Sequence, residues 1–273
     1  RLDDFLAPSG IVSERYFSIH RIAVHTGRWD FAGSESYLYS GVGRGLEPTL
    51  ANPFNIYALS WRNENKEGNL GLGADIGYRS GTAGSYAAQF FLDDYQLDRG
   101  CNPTCKQPAS YALTLAAEGL PLRGDQRWFA SYTRVSNLAY NNKVESDHYE
   151  VFGVGLGQGF NDYDEMKAGL DLALVPRTPL RLYAAHRRQG EGSYNTPFPP
   201  PADWATTPGI FVGVVMGVTR VGLSGASRWR DFELSGDVGV DHSTNFLHVA
   251  GATDTSLQGR VKLAIEPRWS VNF

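Results

Sequence analysis

Apolar and polar side chains alternate along segment after segment of this chain, and no other feature constrains its fold as tightly. In "NLGLGADIGY", Leu70, Leu72, Ala74, Ile76 and Tyr78 share one side against Gly71, Gly73, Asp75 and Gly77. "SYAAQFFLDDY", "YALTLAAEG", "EMKAGLDLAL", "LRLYAAHR" and "RDFELSGDVGVD" repeat the pattern. A period of two is that of a β-strand with one apolar face. The composition agrees: 31 glycines, 12% aromatic residues and only 2 methionines in 273 residues suit an all-β chain.

Alternation alone fits both a soluble sandwich and a membrane barrel. Connection lengths separate them. Short links at 80–84, 122–126 and 176–179 alternate with long ones near 42–68, 98–109, 139–163, 189–211 and 242–254. Short turns on one rim and long loops on the other is the pattern of an antiparallel transmembrane β-barrel of the bacterial outer membrane. The longest apolar run, "GIFVGVVMGV", is shorter than the ~20 residues a membrane helix needs. The whole of 1–273 therefore reads as a single barrel domain. About 11 strands can be traced, beginning near Tyr16 and ending at Phe273, and "YEVFGVGLGQ" (149–158) offers a twelfth. An odd count, with the amino terminus left on the long-loop side, predicts a fragment of a larger barrel of about 18 strands that lacks its first strands. The chain also opens without an initiator methionine or leader, so it reads as processed or incomplete.

The chain closes on "VKLAIEPRWSVNF", again alternating. Trp269, Val271 and the terminal Phe273 resemble the assembly signal read by the outer-membrane barrel insertion machinery. A last strand running to the end also fits a barrel, which must close its edges in lipid.

Four stretches carry a closer likeness: "SESYLYSGVGRGLEPTLANPFNIYALSW" from Ser34, "FFLDDYQLDR" from Phe90, "SYTRVSNLAYN" from Ser131 and "VGLGQGFNDYDE" from Val154. Together they resemble the Wzi-like capsule-assembly family of outer-membrane β-barrels. The resemblance implies a lectin-like, non-catalytic protein that holds capsular or exopolysaccharide at the surface of a Gram-negative bacterium. Its partners would be outer-membrane lipid, lipopolysaccharide and the polysaccharide itself. A porin-like channel for small solutes is the alternative.

Candidate binding residues fall in the long loops. The glycines of "GVGRGLEPTLANPF" free a loop that carries Arg44 and Glu47, either to grip sugar hydroxyls inside the barrel or to hold a constriction loop by salt bridges. "RRQGEGSYNTPFPPPADWATTPG" displays Tyr194, Phe198 and Trp204, whose rings can stack on sugars while prolines limit the ordering cost. Trp128 and Trp269 read as membrane-belt residues. Asp93, Asp94 and Asp98 form a weak calcium candidate without EF-hand spacing, and read more simply as solvated rim charges. Charges on the polar faces, among them Lys167, Asp171, Arg181, Arg187, Asp231, Glu233, Asp237, Arg260 and Lys262, can pair across adjacent strands.

Other chemistries lack their residues. Cys101 and Cys105 in "CNPTC" have no further Cys or His ligands nearby, so a small disulfide loop in an oxidising compartment is expected rather than zinc. No G-x-S-x-G, H-E-x-x-H or phosphate-loop pattern occurs, and Ser136, Asn137 and His148 have no spacing that marks a wall-site phospholipase. No enzyme activity and no cofactor is expected. The net charge of -4 gives no reason to expect nucleic acid.

Overall fold

The computed structural model describes residues 1–7, 10–52, 54–64, 66–94, 107–123, 126–152, 154–175, 178–229 and 231–265. In chain order the elements are β1 (Asp4–Leu6), β2 (Val12–Thr26), β3 (Trp29–Gly41), the short helices α1 (Pro48–Ala51) and α2 (Tyr57–Glu64), β4 (Asn69–Arg79), β5 (Ser85–Asp94), β6 (Ser110–Pro121) and β7 (Arg127–Val135). There follow β8 (Glu150–Val151), β9 (Val154–Gly155), β10 (Tyr163–Val175), β11 (Thr178–Gln189), β12 (Met216–Trp229), β13 (Phe232–Thr244) and β14 (Thr253–Ile265). All except β8 and β9 form one 12-stranded antiparallel sheet in which each strand lies beside its neighbours in sequence. Within the described residues the strands expected from the alternation form, the last of them as far as Ile265, and three-residue β1 adds one more.

The 149–158 stretch does not join the sheet. It folds into the β8–β9 hairpin instead, turning at Phe152 with φ 50°. Short links and long loops do alternate between the two rims, within a few residues of the expected bounds. Among the described residues the sheet is not closed: β14 pairs only with β13, and β2 beyond Glu14 pairs only with β3.

Register makes the two faces explicit. One row runs Trp29, Tyr78, Tyr86, Ala117, Ala130, Ala168, Ala184, Val221, Val240 and Leu257 without a charged or hydrogen-bonding group other than phenols and an indole. One residue along each strand, the opposite face reads His25, Asp30, Gly77, Ala87, Ala116, Ser131, Lys167, Ala185, Arg220, Asp241 and Ser256. The apolar face is largely uncovered: Ile22, Met166, Val221 and Leu257 are each more than half exposed. Near the short-turn rim it carries a row of contacting rings, with Trp29 4.6 Å from Tyr78 and Tyr78 6.4 Å from Tyr86.

At the long-loop end each face is covered by a different segment. On the apolar side of β3, Tyr37 and Tyr39 are buried with Leu50 of α1 and Tyr57 of α2. On the polar side, Leu38 joins Phe17, Phe91, Ala112, Val135 and Tyr163 in a platform under residues 136–162. These two clusters hold the main buried apolar groups.

Candidate functional site

Residues 136–162 lie across the polar face, and side chains from strands distant in sequence fasten them there. Arg15, 1% exposed, donates from Nη2 to the carbonyls of His148 (2.5 Å) and Glu150 (2.8 Å), while its Nη1 meets Asp3 at 2.9 Å. The Tyr149 hydroxyl lies 3.0 Å from the Asn69 carbonyl and 3.1 Å from that of Ser36. Gly71 is required at this point, because a Cβ there would meet the Phe91 ring and the Ser36 hydroxyl at under 3 Å. Ser40 Oγ contacts Ser146 Oγ at 2.6 Å, and Asp93 accepts the Tyr140 N–H at 2.8 Å. Asn161 donates from Nδ2 to the carbonyls of Asn137 and Ala139.

Four stretches quoted from the sequence, beginning at Ser34, Phe90, Ser131 and Val154, converge here. Ser36, Leu38 and Ser40 come from the first, Phe91 and Asp93 from the second, Ser136 to Asn141 from the third, and Asn161 and Asp162 from the last. A buried polar segment needs a partner for each buried group, which accounts for so many Asn, Ser and Asp side chains. The sequence reading missed this segment. Its signal was the mixture of Asn, Tyr and Asp in "SNLAYN" and "GFNDYD", too aromatic for a solvated loop.

Asp162 ties a second long loop to the first. Its carboxylate accepts the N–H groups of Gly192 (2.9 Å), Phe211 (2.5 Å) and Val212 (3.0 Å). Burial raises its pKa, and these three backbone hydrogen bonds act against the rise. Burial also pushes Asp147 up to about 6, opposed by the Ser40 hydroxyl and by Arg44 and Arg15, and it lowers His148.

Arg44 and Glu47 do meet, and they hold a loop. Arg44 donates to Glu47 Oε1 (2.6 and 2.9 Å) and to the carbonyls of Ser40 and Glu67, while Lys66 pairs with Glu47 Oε2 at 2.5 Å. Burial alone would raise Glu47; hydrogen bonds from Lys66 and Arg44 hold it below the ordinary carboxylate range. Their loop does not fold onto the polar face as expected. Arg44 lies over the ring of Tyr39, on the apolar side of β3, because the tyrosines there supply the surface that α1 and α2 cover.

The aromatic trio is divided. Tyr194 is not displayed: it is 6% exposed, packs in the platform cluster, and donates to the Gly159 carbonyl. Phe198 and Trp204 are half-buried and share Lys143, whose Nζ lies 5.8 Å and 5.1 Å from their ring centres. The Trp204 indole N–H donates to the Pro199 carbonyl at 2.9 Å. Trp128 is exposed on the apolar face.

Asp93 is buried rather than a solvated rim charge; the Asp94 side chain and Asp98 lie outside the described residues. Among the described residues no group of three or more His, Cys, Asp or Glu is placed to hold a metal. Cys101, Cys105, Trp269, Val271 and Phe273 also lie outside them. Ser136, Asn137 and His148 are engaged separately: the serine Oγ accepts the Tyr111 N–H, the asparagine donates to the Pro208 carbonyl, and His148 Nε2 lies 3.1 Å from the Asn142 carbonyl.

The rest of the polar face, on β10 to β14, is a charged trough with cavities of about 870 and 490 Å³. Arg181 clamps Asp171 with two nitrogens (2.7 and 3.1 Å). Asp237 is taken by Arg220 and by the Tyr183 hydroxyl rather than by Arg260, its cross-strand neighbour. Arg220 also pairs with Asp241 at 2.8 Å. No helix among the described residues is long and apolar enough to cross a membrane, which leaves crossing by strands untouched. Comparison with protein-family models, curated proteins and solved structures finds no match.

Proposed function

We propose that this chain forms the wall of a bacterial outer-membrane β-barrel and retains a surface polysaccharide on its polar side and long-loop end, without catalysis. The observation that carries the reading is the pair of adjacent rows across the sheet, one apolar and uncovered, the other charged. A contiguous apolar face of this extent on a water-soluble domain would be a binding surface or an aggregation hazard. Facing lipid it needs no cover, and the Trp29–Tyr78–Tyr86 row lies where an interfacial girdle belongs. Outer-membrane lipid and lipopolysaccharide are then the neighbours of that face, and the insertion machinery is the assembly partner. The 136–162 segment acts in this reading as a plug, which favours holding a polymer over passing solutes.

The porin-like alternative draws on the trough, which lies on the strands opposite the plug. One experiment separates the two. Cells lacking the chain should shed surface polysaccharide into the medium, and the purified protein in planar bilayers should stay silent. Unchanged retention together with stepwise conductance would overturn the reading in favour of the porin.

A further inference from the structure

Between the plug and the short-turn rim the polar face holds a cavity of about 310 Å³, separate from the charged trough. Its aromatic side is built where sheet and plug meet. Tyr140 stacks on Phe91 with centres 5.4 Å apart and planes 28° apart, and Tyr149 meets the same ring edge-on at 5.7 Å. Phe17 in turn lies edge-on to Tyr149 at 5.9 Å.

The polar side is a single cross-strand row: Asp75 on β4, Gln89 on β5 and Thr114 on β6 are register partners in succession. Strand spacing places these three groups about 4.8 Å apart. Their hydrogen-bonding capacity is only partly used. Arg21 directs both Nε and Nη2 to Asp75 Oδ2, which leaves Oδ1 without a partner among the described residues. The Gln89 carboxamide has no hydrogen bond there, and the Thr114 hydroxyl has only the Thr133 hydroxyl at 3.3 Å.

An aromatic shelf beside a row of acceptors and donors is complementary to a molecule with C–H groups on one face and hydroxyls around its edge. The volume is at the low end of ligand pockets, which run from about 300 to 1,000 Å³, so it suits one ring rather than a chain. Charge narrows the class. The lining includes the Asp75 carboxylate and no Lys or Arg, and Arg21 is already paired with Asp75. We infer that this pocket binds one neutral pyranose unit, with a ring face against the part-exposed rings of Phe17 and Phe91, which the buried Tyr140 and Tyr149 back, and its hydroxyls on Asp75, Gln89 and Thr114. The assignment rests on the polysaccharide reading above and locates it on the turn side of the plug.

The test uses the full chain in an amine-oxide detergent, since glycosidic detergents would compete. Methyl glucopyranoside, galactopyranoside and mannopyranoside at millimolar concentration serve as probes in saturation-transfer NMR. At least one should receive saturation, strongest on the C–H groups of one ring face, and methyl glucuronide should bind more weakly than its neutral counterpart. Gln89→Trp, which fills the cavity from an exposed strand position, should abolish the signal. The milder Gln89→Ala should weaken binding by about two- to tenfold, the range of one hydrogen bond. No transfer to any probe, or transfer unchanged in both variants, would overturn the pocket. Binding that Gln89→Trp abolishes, in a protein whose removal leaves cellular polysaccharide retention intact, would uphold the pocket and sink the retention reading.

Discussion

Asp162 adopts φ 57° at the mouth of β10, and three N–H groups from 30 to 50 residues further along converge on its carboxylate. Gly190 and Gly192 leave room for it, since a Cβ at either would collide with its side chain. Asp162→Ala would strand three donors, of which the buried Gly192 N–H alone costs about 1–3 kcal/mol. The variant should keep its strands but lose order over 190–215, read as rapid cleavage there by a nonspecific protease; a wild-type digestion pattern would refute the role. Asp147 and His148, adjacent in the plug, pull in opposite directions with pH. Asp147 has its folded pKa raised from 3.8 to about 6, so its stabilisation is present at acid pH and lost as pH rises through about 6. His148 has its folded pKa lowered from 6.5, so its contribution is present above that value and lost on acidification. In the wild type the two partly cancel. Asp147→Asn should leave a plug that loosens as pH falls, and His148→Gln one that tightens, measured by hydrogen exchange of Tyr149 and Glu150 corrected for intrinsic rate. Equal profiles in the two variants would exclude this linkage.

Strand β3 carries both faces of the problem on one element. Trp29 and Phe31 stand exposed at one end, Tyr37 and Tyr39 lie buried on the same side at the other, and Ser36 and Leu38 serve the plug from the reverse. The alternation of most long strands was legible in the sequence, as was the order of short and long connections; the first bound was not, since β2 begins at Val12 rather than near Tyr16. Which loop covers which side was not legible, because Tyr37 and Leu38 are equally apolar as letters and only their partners distinguish them. The plug escaped notice for a related reason: Asn137, Asn161 and Asp162 look like solvated loop residues until their acceptors and donors are located. Arg44 and Glu47 stood out as the charges on a glycine-freed loop, but their side of β3 depends on the tyrosines beneath. The exposed rings permit a direct test of the membrane assignment. In vesicles containing brominated lipid, Trp29 and Trp128 should be quenched, and more by bromine near the headgroups than at the bilayer centre. Double replacement by Phe should remove about half or more of that quenching. Quenching that is absent, or greatest at the centre, would count against an interfacial girdle.

At the scale of the whole molecule, the described sheet is a meander in which neighbouring strands are consecutive in the chain, apart from the β8–β9 hairpin set between β7 and β10. Among the described residues the fastenings of the plug span the greatest distances in sequence, such as Arg15 to Glu150, 135 residues apart. This ordering has a kinetic consequence. Each pairing closes a loop no longer than the connection itself, and doubling a loop adds only about 0.6 kcal/mol of closure entropy. Hairpins can therefore form one after another from any starting point, whereas the plug has no seat until β2 to β7 are already side by side. Weakening the plug, as in Tyr149→Phe, should leave the rate of strand formation during refolding into detergent unchanged and slow only a later phase of tyrosine burial; a slower first phase would contradict that order. Topology thus separates assembly into a fast, local reaction that builds the sheet and a slow, non-local one that covers its polar face, so an intermediate with formed strands and an uncovered face is built into the connectivity.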